Sequence, residues 1–103
     1  MPRVTENEVA LAVMRIAAGR PNQLCTFNRA RNEVPSYVKL SAGDLAQSTT
    51  RTNEPMWHQL IRNIKSHHDA DGNFINGGLL THVPRQGYRA TKAGLAYLKK
   101  RGL

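Results

Sequence analysis

The residues of this chain best suited to chemistry lie between positions 51 and 89, and they suit contact with a polyanion rather than bond making. Gln59, Arg62 and Ser66 carry an amide, a guanidinium and a hydroxyl at spacings that a helix brings to one outward side, with His58 and Asn63 on its borders. Bidentate Arg, Asn and Gln side chains distinguish base pairs in the major groove of a duplex, and that groove admits one α-helix. Arg51 and Lys65 lie nearer the edges of the segment, where phosphate contact suits them better. Arg85 and Gln86 fall between Pro84 and Gly87, two turn residues, and so belong at a hairpin tip. An Arg there reaches a phosphate or a minor groove, and Arg89 on the following strand backs it up. Lys99, Lys100 and Arg101 are explained by the dipole of a helix C-terminus, which stabilises cations.

Other chemistries find less support. His67-His68-Asp69-Ala70-Asp71-Gly72-Asn73 suggests a metal loop. A calcium loop needs Gly at its sixth position and a carboxylate at its twelfth. Counted from Asp69, Gly72 is fourth and Leu80 twelfth. Zinc needs converging ligands, and only His58 or His82 stand elsewhere to supply them. Turn formation accounts for the stretch. Cys25 has no poised base in sequence and reads as a buried thiol. There is no Gly-rich phosphate loop and no Gly-x-Ser-x-Gly elbow. No catalytic residue, metal or cofactor is expected, and the chain is read as a non-enzyme.

Charge supports a polyanionic partner. The 103 residues carry 15 Lys and Arg against 7 Asp and Glu, a formal net charge of +8. Residues 1–50 hold six basic and four acidic side chains, whereas residues 51–103 hold nine and three. A one-signed field on one half of a small domain attracts a polyanion and speeds encounter. The lone cysteine precludes an internal disulfide and fits a reducing cytosol. The N-terminus is too polar for a signal peptide, and no segment approaches transmembrane length. A soluble cytoplasmic protein with no membrane partner is expected.

The elements that would position these groups follow from periodicity. Trp57, Leu60, Ile61 and Ile64 recur at i, i+3, i+4 and i+7, with Asn53 suited to an N-cap and Pro55 to a first turn. This predicts an amphipathic helix from Asn53 to about Ser66, with Trp57 inward. A Gly- and Asp-rich loop covers His67 to Gly78. A hairpin follows, with strands at about Leu79–Val83 and Tyr88–Ala90; Tyr88 fits either an inward or an outward position. Thr91 caps a closing helix, and Gly102 lies where it would stop. Upstream, Thr5 and Glu8 form a capping box before the apolar positions Val9, Ala12, Val13, Ile16 and Ala17, and Gly19 and Pro21 end that helix. Thr26 caps a second helix with Phe27, Ala30 and Val34 on one face, Arg29 and Arg31 outside, and Pro35 as its stop. Ser41 to Asp44 starts another, with Leu45 and Ala46 inward, before a polar loop over 47–52.

Asn53-Glu54-Pro55-Met56-Trp57-His58-Gln59-Leu60-Ile61-Arg62-Asn63, then Gly78-Leu79-Leu80, Pro84-Arg85-Gln86-Gly87-Tyr88-Arg89-Ala90-Thr91 and Gly94, resembles the N-terminal winged-helix domain of Mrr-type restriction endonucleases. That family runs a Trp-containing helix into Gly-Leu, then an Arg-Gly-aromatic hairpin and a Thr-x-x-Gly helix start. The resemblance implies a DNA-binding module, which in that family targets a nuclease domain. Two departures stand out. The loop from His67 to Gly78 is longer than the family's usual link. The nuclease domain has no counterpart in these residues, and no Asp or Glu is followed two positions later by Lys.

The expectation is therefore an α+β winged helix-turn-helix: a single domain over residues 1–103, with three to four helices, a C-terminal hairpin wing and a closing helix. It binds double-stranded DNA, with Gln59, Arg62, Asn63 and Ser66 in the major groove and Arg51, Lys65, Arg85 and Arg89 on phosphates or an adjacent groove, in regulation of transcription or in targeting a restriction system. Two rivals remain. One is a protein-interaction module, a homodimer among them, joined through apolar patches. The other is a metal-dependent phosphodiesterase using His67, His68, Asp69 and Asp71.

Overall fold

The computed structural model describes residues 3–51 and 53–103. Met1, Pro2 and Thr52 lie outside the described residues, so the polar loop expected over 47–52 is described only as far as Arg51. Helix α1 spans Glu6–Ala18. Thr5 accepts a hydrogen bond from the Glu8 amide while the Glu8 carboxylate accepts from the Thr5 amide, so the capping box forms. The buried side of α1 is small and aliphatic (Val9, Ala12, Val13, Ile16, Ala17), which lets neighbours approach from several sides. It packs against the segments Leu24–Thr26, Gly87–Ala90, His58–Ser66 and Lys92–Lys100 and forms the centre of the core.

Strand β1 (Leu24–Thr26) was not anticipated from sequence. It leads into α2 (Phe27–Glu33), capped by the Thr26 side chain and followed by a 3-10 turn at Val34–Ser36 where Pro35 stops the helix. Helix α3 is one turn, Ala42–Leu45. Helix α4 covers His58–Ser66, and strands β2 (Leu80–Val83) and β3 (Gly87–Ala90) form the hairpin. Thr91 caps α5 (Lys92–Lys100) by accepting from the Gly94 amide. The sheet is antiparallel with order β1-β3-β2, so β3 is the central strand. Five α-helices and this three-stranded sheet make an α+β fold among the described residues. No helix among them is long and apolar enough to cross a membrane.

Two expectations are corrected. Leu45 does not pack inward: it is 58% exposed, and Ala46 is exposed as well. The capping box of so short a helix is closed by Asp44 instead, which is buried and turned toward Ser41 and Val4. The long helix does not begin at Asn53. Asn53 has a left-handed φ of 59°, and Pro55 pairs with Gln47 in an isolated bridge. The Met56 amide donates to Ala46 and the Trp57 amide to Asp44. The 53–57 backbone is therefore committed to the preceding loop, and α4 starts five residues late without a side-chain cap.

Asp44 ties the N-terminal segment to this loop. Its carboxylate accepts from the amides of Val4 and Ser41 and from the Ser41 hydroxyl. Burial alone would push the carboxyl pKa up, but these hydrogen bonds and the Arg3 charge outweigh it and hold the value below the ordinary 3.8. The folded state thus favours the charged form. That contribution is complete above the ordinary carboxyl pKa and is lost as pH falls through the lower folded value. Asp44→Asn is expected to cost about 2 kcal/mol at neutral pH. It should also flatten the acid limb of a stability–pH profile measured by denaturant unfolding.

Candidate nucleic-acid interface

Helix α4 is positioned by its stripe and by one tyrosine. Trp57, Ile61 and Ile64 are buried, and Leu60 is half-buried beside them. Tyr88, left open by the sequence, is fully buried. Its hydroxyl donates to the Ile61 carbonyl (2.5 Å) and accepts from the Lys65 amide (3.2 Å), so it inserts at one turn of α4. Burial, more than the opposing Lys65 bond relieves, pushes its pKa up to about 12 and keeps it a donor. At the other end, buried Asn73 donates from Nδ2 to the Ile64 carbonyl (2.9 Å) and accepts from the amides of Ile75 and Asn76. An orphan carbonyl of the last turn is thereby satisfied. The 67–78 segment is thus a folded brace with Asn73 and Phe74 buried.

With the stripe inward, the expected contact residues divide between the two flanks of α4. Ser66 lies exposed on the outer crest. Gln59 and Asn63 fall on one flank, in a groove shared with Arg3, Asp44 and Met56. His58 and Arg62 fall on the other, lining a cleft of about 400 Å³ with Phe27, Arg31, Arg51, Glu54 and Ile61. Lys65 is exposed one turn further along and acts on His82, whose pKa is lowered by burial and then by Lys65. Arg85 and Gln86 occupy the hairpin tip and share a second concavity with Thr26, Phe27, Asn28 and the same Arg31.

Arg31 is therefore the bridge between the cleft and the hairpin tip, although sequence placed it merely on the outside of α2. The signal was weak: an exposed Arg on a short helix has many readings. Arg89 does not join this set. Its neighbour Tyr88 faces α4, and successive side chains on a strand point to opposite faces. Arg89 consequently leaves the other face of the sheet, opposite Thr81 and Leu24.

The hairpin is not free-standing. Thr26 pairs with Gly87, and the Phe27 amide donates to the Gln86 carbonyl (3.0 Å), so the tip docks on the N-terminus of α2. The Gln86 amide closes the turn onto Val83, and Arg85 occupies it with a left-handed φ of 65°. That conformation costs a side-chain-bearing residue about 1–2 kcal/mol, least for Gly, Asn and Asp. Arg85→Asn is expected to raise stability by up to about 1 kcal/mol while weakening polyanion binding. Thermal unfolding and a binding titration on the same variant would reveal the opposed signs.

The cleft is cationic but not uniformly so. Arg62 Nη1 lies 2.7 Å from Glu54 Oε1. This is a contact of charges without alignment: the same oxygen is buried and has no hydrogen-bond partner of good geometry among the described residues. In an unbroken helix from Asn53, residues eight apart would be separated by about 12 Å along the axis. The non-helical 53–57 segment is what folds Glu54 back onto Arg62. His58 stacks edge-on against Trp57 at 4.6 Å. Its pKa is lowered, first by burial and then by Arg31 and Arg62, with Glu54 opposing.

Elsewhere the chemistry is structural. His67 Nδ1 contacts Glu6 (2.7 Å), whereas His68 Nε2 faces Asp69 (3.2 Å). The two imidazoles thus turn to different carboxylates. Among the described residues no group of three or more His, Cys, Asp or Glu is arranged to hold a metal ion. Cys25 is buried, and its thiol is pushed up to about 12 by burial and then by Glu33, which Arg29 only partly offsets. A protonated thiol is a poor nucleophile.

Comparison of the chain with protein-family models, with curated proteins and with solved structures found no match.

Proposed function

We propose that this protein is a winged helix that binds double-stranded DNA. The reading is supported by the element order, a helix followed through the 67–78 brace by a hairpin, and by a sheet in which the strand before α2 pairs with the second hairpin strand. The observation that carries it is the continuity of cationic side chains across three elements: Arg31 from α2, Arg62 and Lys65 from α4, and Arg85 at the hairpin tip, with Arg51 from the adjoining loop and the His58 imidazole beside them. Guanidinium groups on rigid elements grip phosphates through paired hydrogen bonds. Gln59, Asn63 and Ser66, on the crest and far flank of α4, are the groups left to read base edges. The resemblance to the targeting domain of Mrr-type endonucleases gives the biological setting: a module that brings a restriction activity, or a regulator, to DNA.

The test is a duplex-binding titration repeated over a range of salt. Neutralising about five phosphates gives a slope of about −4 to −5 for log K against log salt. A fourfold rise in salt would then weaken binding by about 10²–10³. A slope near zero would remove the proposal.

A further inference from the structure

The cleft between α2, the loop ending at Pro55 and the first turn of α4 holds more than a phosphate needs. Arg31, Arg51 and Arg62 surround it, His58 and the half-buried Phe27 line its wall, and Glu54 sits among them. Its volume of about 400 Å³ falls in the range of about 300–1,000 Å³ common for small-molecule sites. Glu54 is the anomaly. A carboxylate weakens a surface built only to hold a DNA backbone, and the Arg62 guanidinium beside it is not aligned to satisfy Oε1. Among the described residues the buried Oε1 has this ion pair but no aligned hydrogen bond, and a ligand donor placed there would supply one.

We propose that this cleft binds one 5′-nucleotide, with guanine the base best matched to it. The phosphate engages Arg31 and Arg51, the base lies against Phe27, and the Glu54 carboxylate accepts from the pairing edge. Guanine alone presents two adjacent donors there, its N1–H and its N2 amino group. Adenine and cytosine set one amino group beside an acceptor, which a carboxylate repels. Uracil sets its imino group between two acceptors. Binding transfers Arg62 from Glu54 to the ligand phosphate and frees the carboxylate for the base. The ligand is either a free nucleotide or an unstacked nucleotide within a strand. The proposal stands on the cleft itself and does not require the duplex reading above.

The full chain is titrated with GMP, AMP, CMP, UMP and inorganic phosphate by calorimetry and by the emission of Trp57, the sole tryptophan, which contacts His58. Saturable one-to-one binding of GMP is expected, about tenfold or more tighter than UMP. Arg31→Ala and Arg51→Ala each weaken GMP by about tenfold. Glu54→Gln removes the preference for GMP while tightening inorganic phosphate, a pair of effects that misfolding cannot produce. Absence of saturable nucleotide binding overturns the proposal, as does binding indifferent to both the base and Glu54→Gln. If a guanine-containing single strand displaces GMP, the site takes a nucleotide within a chain; if it does not, the free nucleotide is the ligand, and the site stands in both cases. Nucleotide binding without duplex binding keeps the site and removes the DNA reading. Duplex binding without nucleotide binding removes the site alone.

Discussion

Gly87→Ala is expected to destabilise the protein by about 3 kcal/mol. A Cβ at this position would lie 2.0 Å from the Cys25 carbonyl oxygen and 2.8 Å from the Thr26 Cα, both backbone atoms of the adjacent strand. Neither can swing aside as a side-chain tip would. Relief requires β1 to separate from β3, and with it the anchor of the hairpin tip on α2 is lost. Domains of this size are stable by only about 5–15 kcal/mol, and each kcal/mol moves the melting temperature by about 4–8 °C. A fall of roughly 12–24 °C in thermal unfolding by circular dichroism is therefore expected. A shift within the error of the melt would mean that β1 does not approach β3 so closely.

The largest functional effect is expected from removing the three arginines that span the proposed interface. Arg31→Ala, Arg62→Ala and Arg85→Ala combined should reduce the magnitude of the salt slope by about 3. Duplex affinity at moderate salt should fall by about 10²–10³. Net charge alone also lowers affinity, so the comparison is with a Lys92→Ala, Lys99→Ala, Lys100→Ala triple. Those lysines lie on α5 and line neither concavity, yet their loss changes the net charge by the same amount. Equal losses in the two proteins would show that the field of the whole chain, rather than this surface, governs binding. The arginine triple should also leave the melting temperature nearly unchanged apart from the Glu54 contact, since all three positions are exposed or half-exposed.

What the sequence made legible was local. The capping box at Thr5 and Glu8, the Thr91 cap and the turn between Pro84 and Gly87 each depend on a few neighbouring residues, and each forms where expected. The inward stripe of α4 was also readable, because Trp57, Ile61 and Ile64 repeat at a helical period. The failures came where distant backbone decided the outcome. Asn53 and Pro55 are good helix starters in isolation, but the loop at 44–48 takes up the backbone groups of Glu54, Met56 and Trp57. Leu-Cys-Thr is too short for any period, and β1 exists because β3 offers it an edge. The candidate site suffered in the same way. Arg62 was legible as outward but not as the partner of Glu54, and Arg31 joined the surface only once α2 had packed beside α4.

The hydroxyl of Tyr88 has a mechanical consequence. Because it grips both ends of one turn of α4 from the middle strand of the sheet, the helix cannot slide or roll without tearing that strand's side chain from its seat. Helix and hairpin are therefore welded into one rigid jaw. A duplex bound as proposed would meet helix and hairpin at a fixed spacing, and the Lys65 amide should exchange with solvent only as slowly as the sheet itself comes apart.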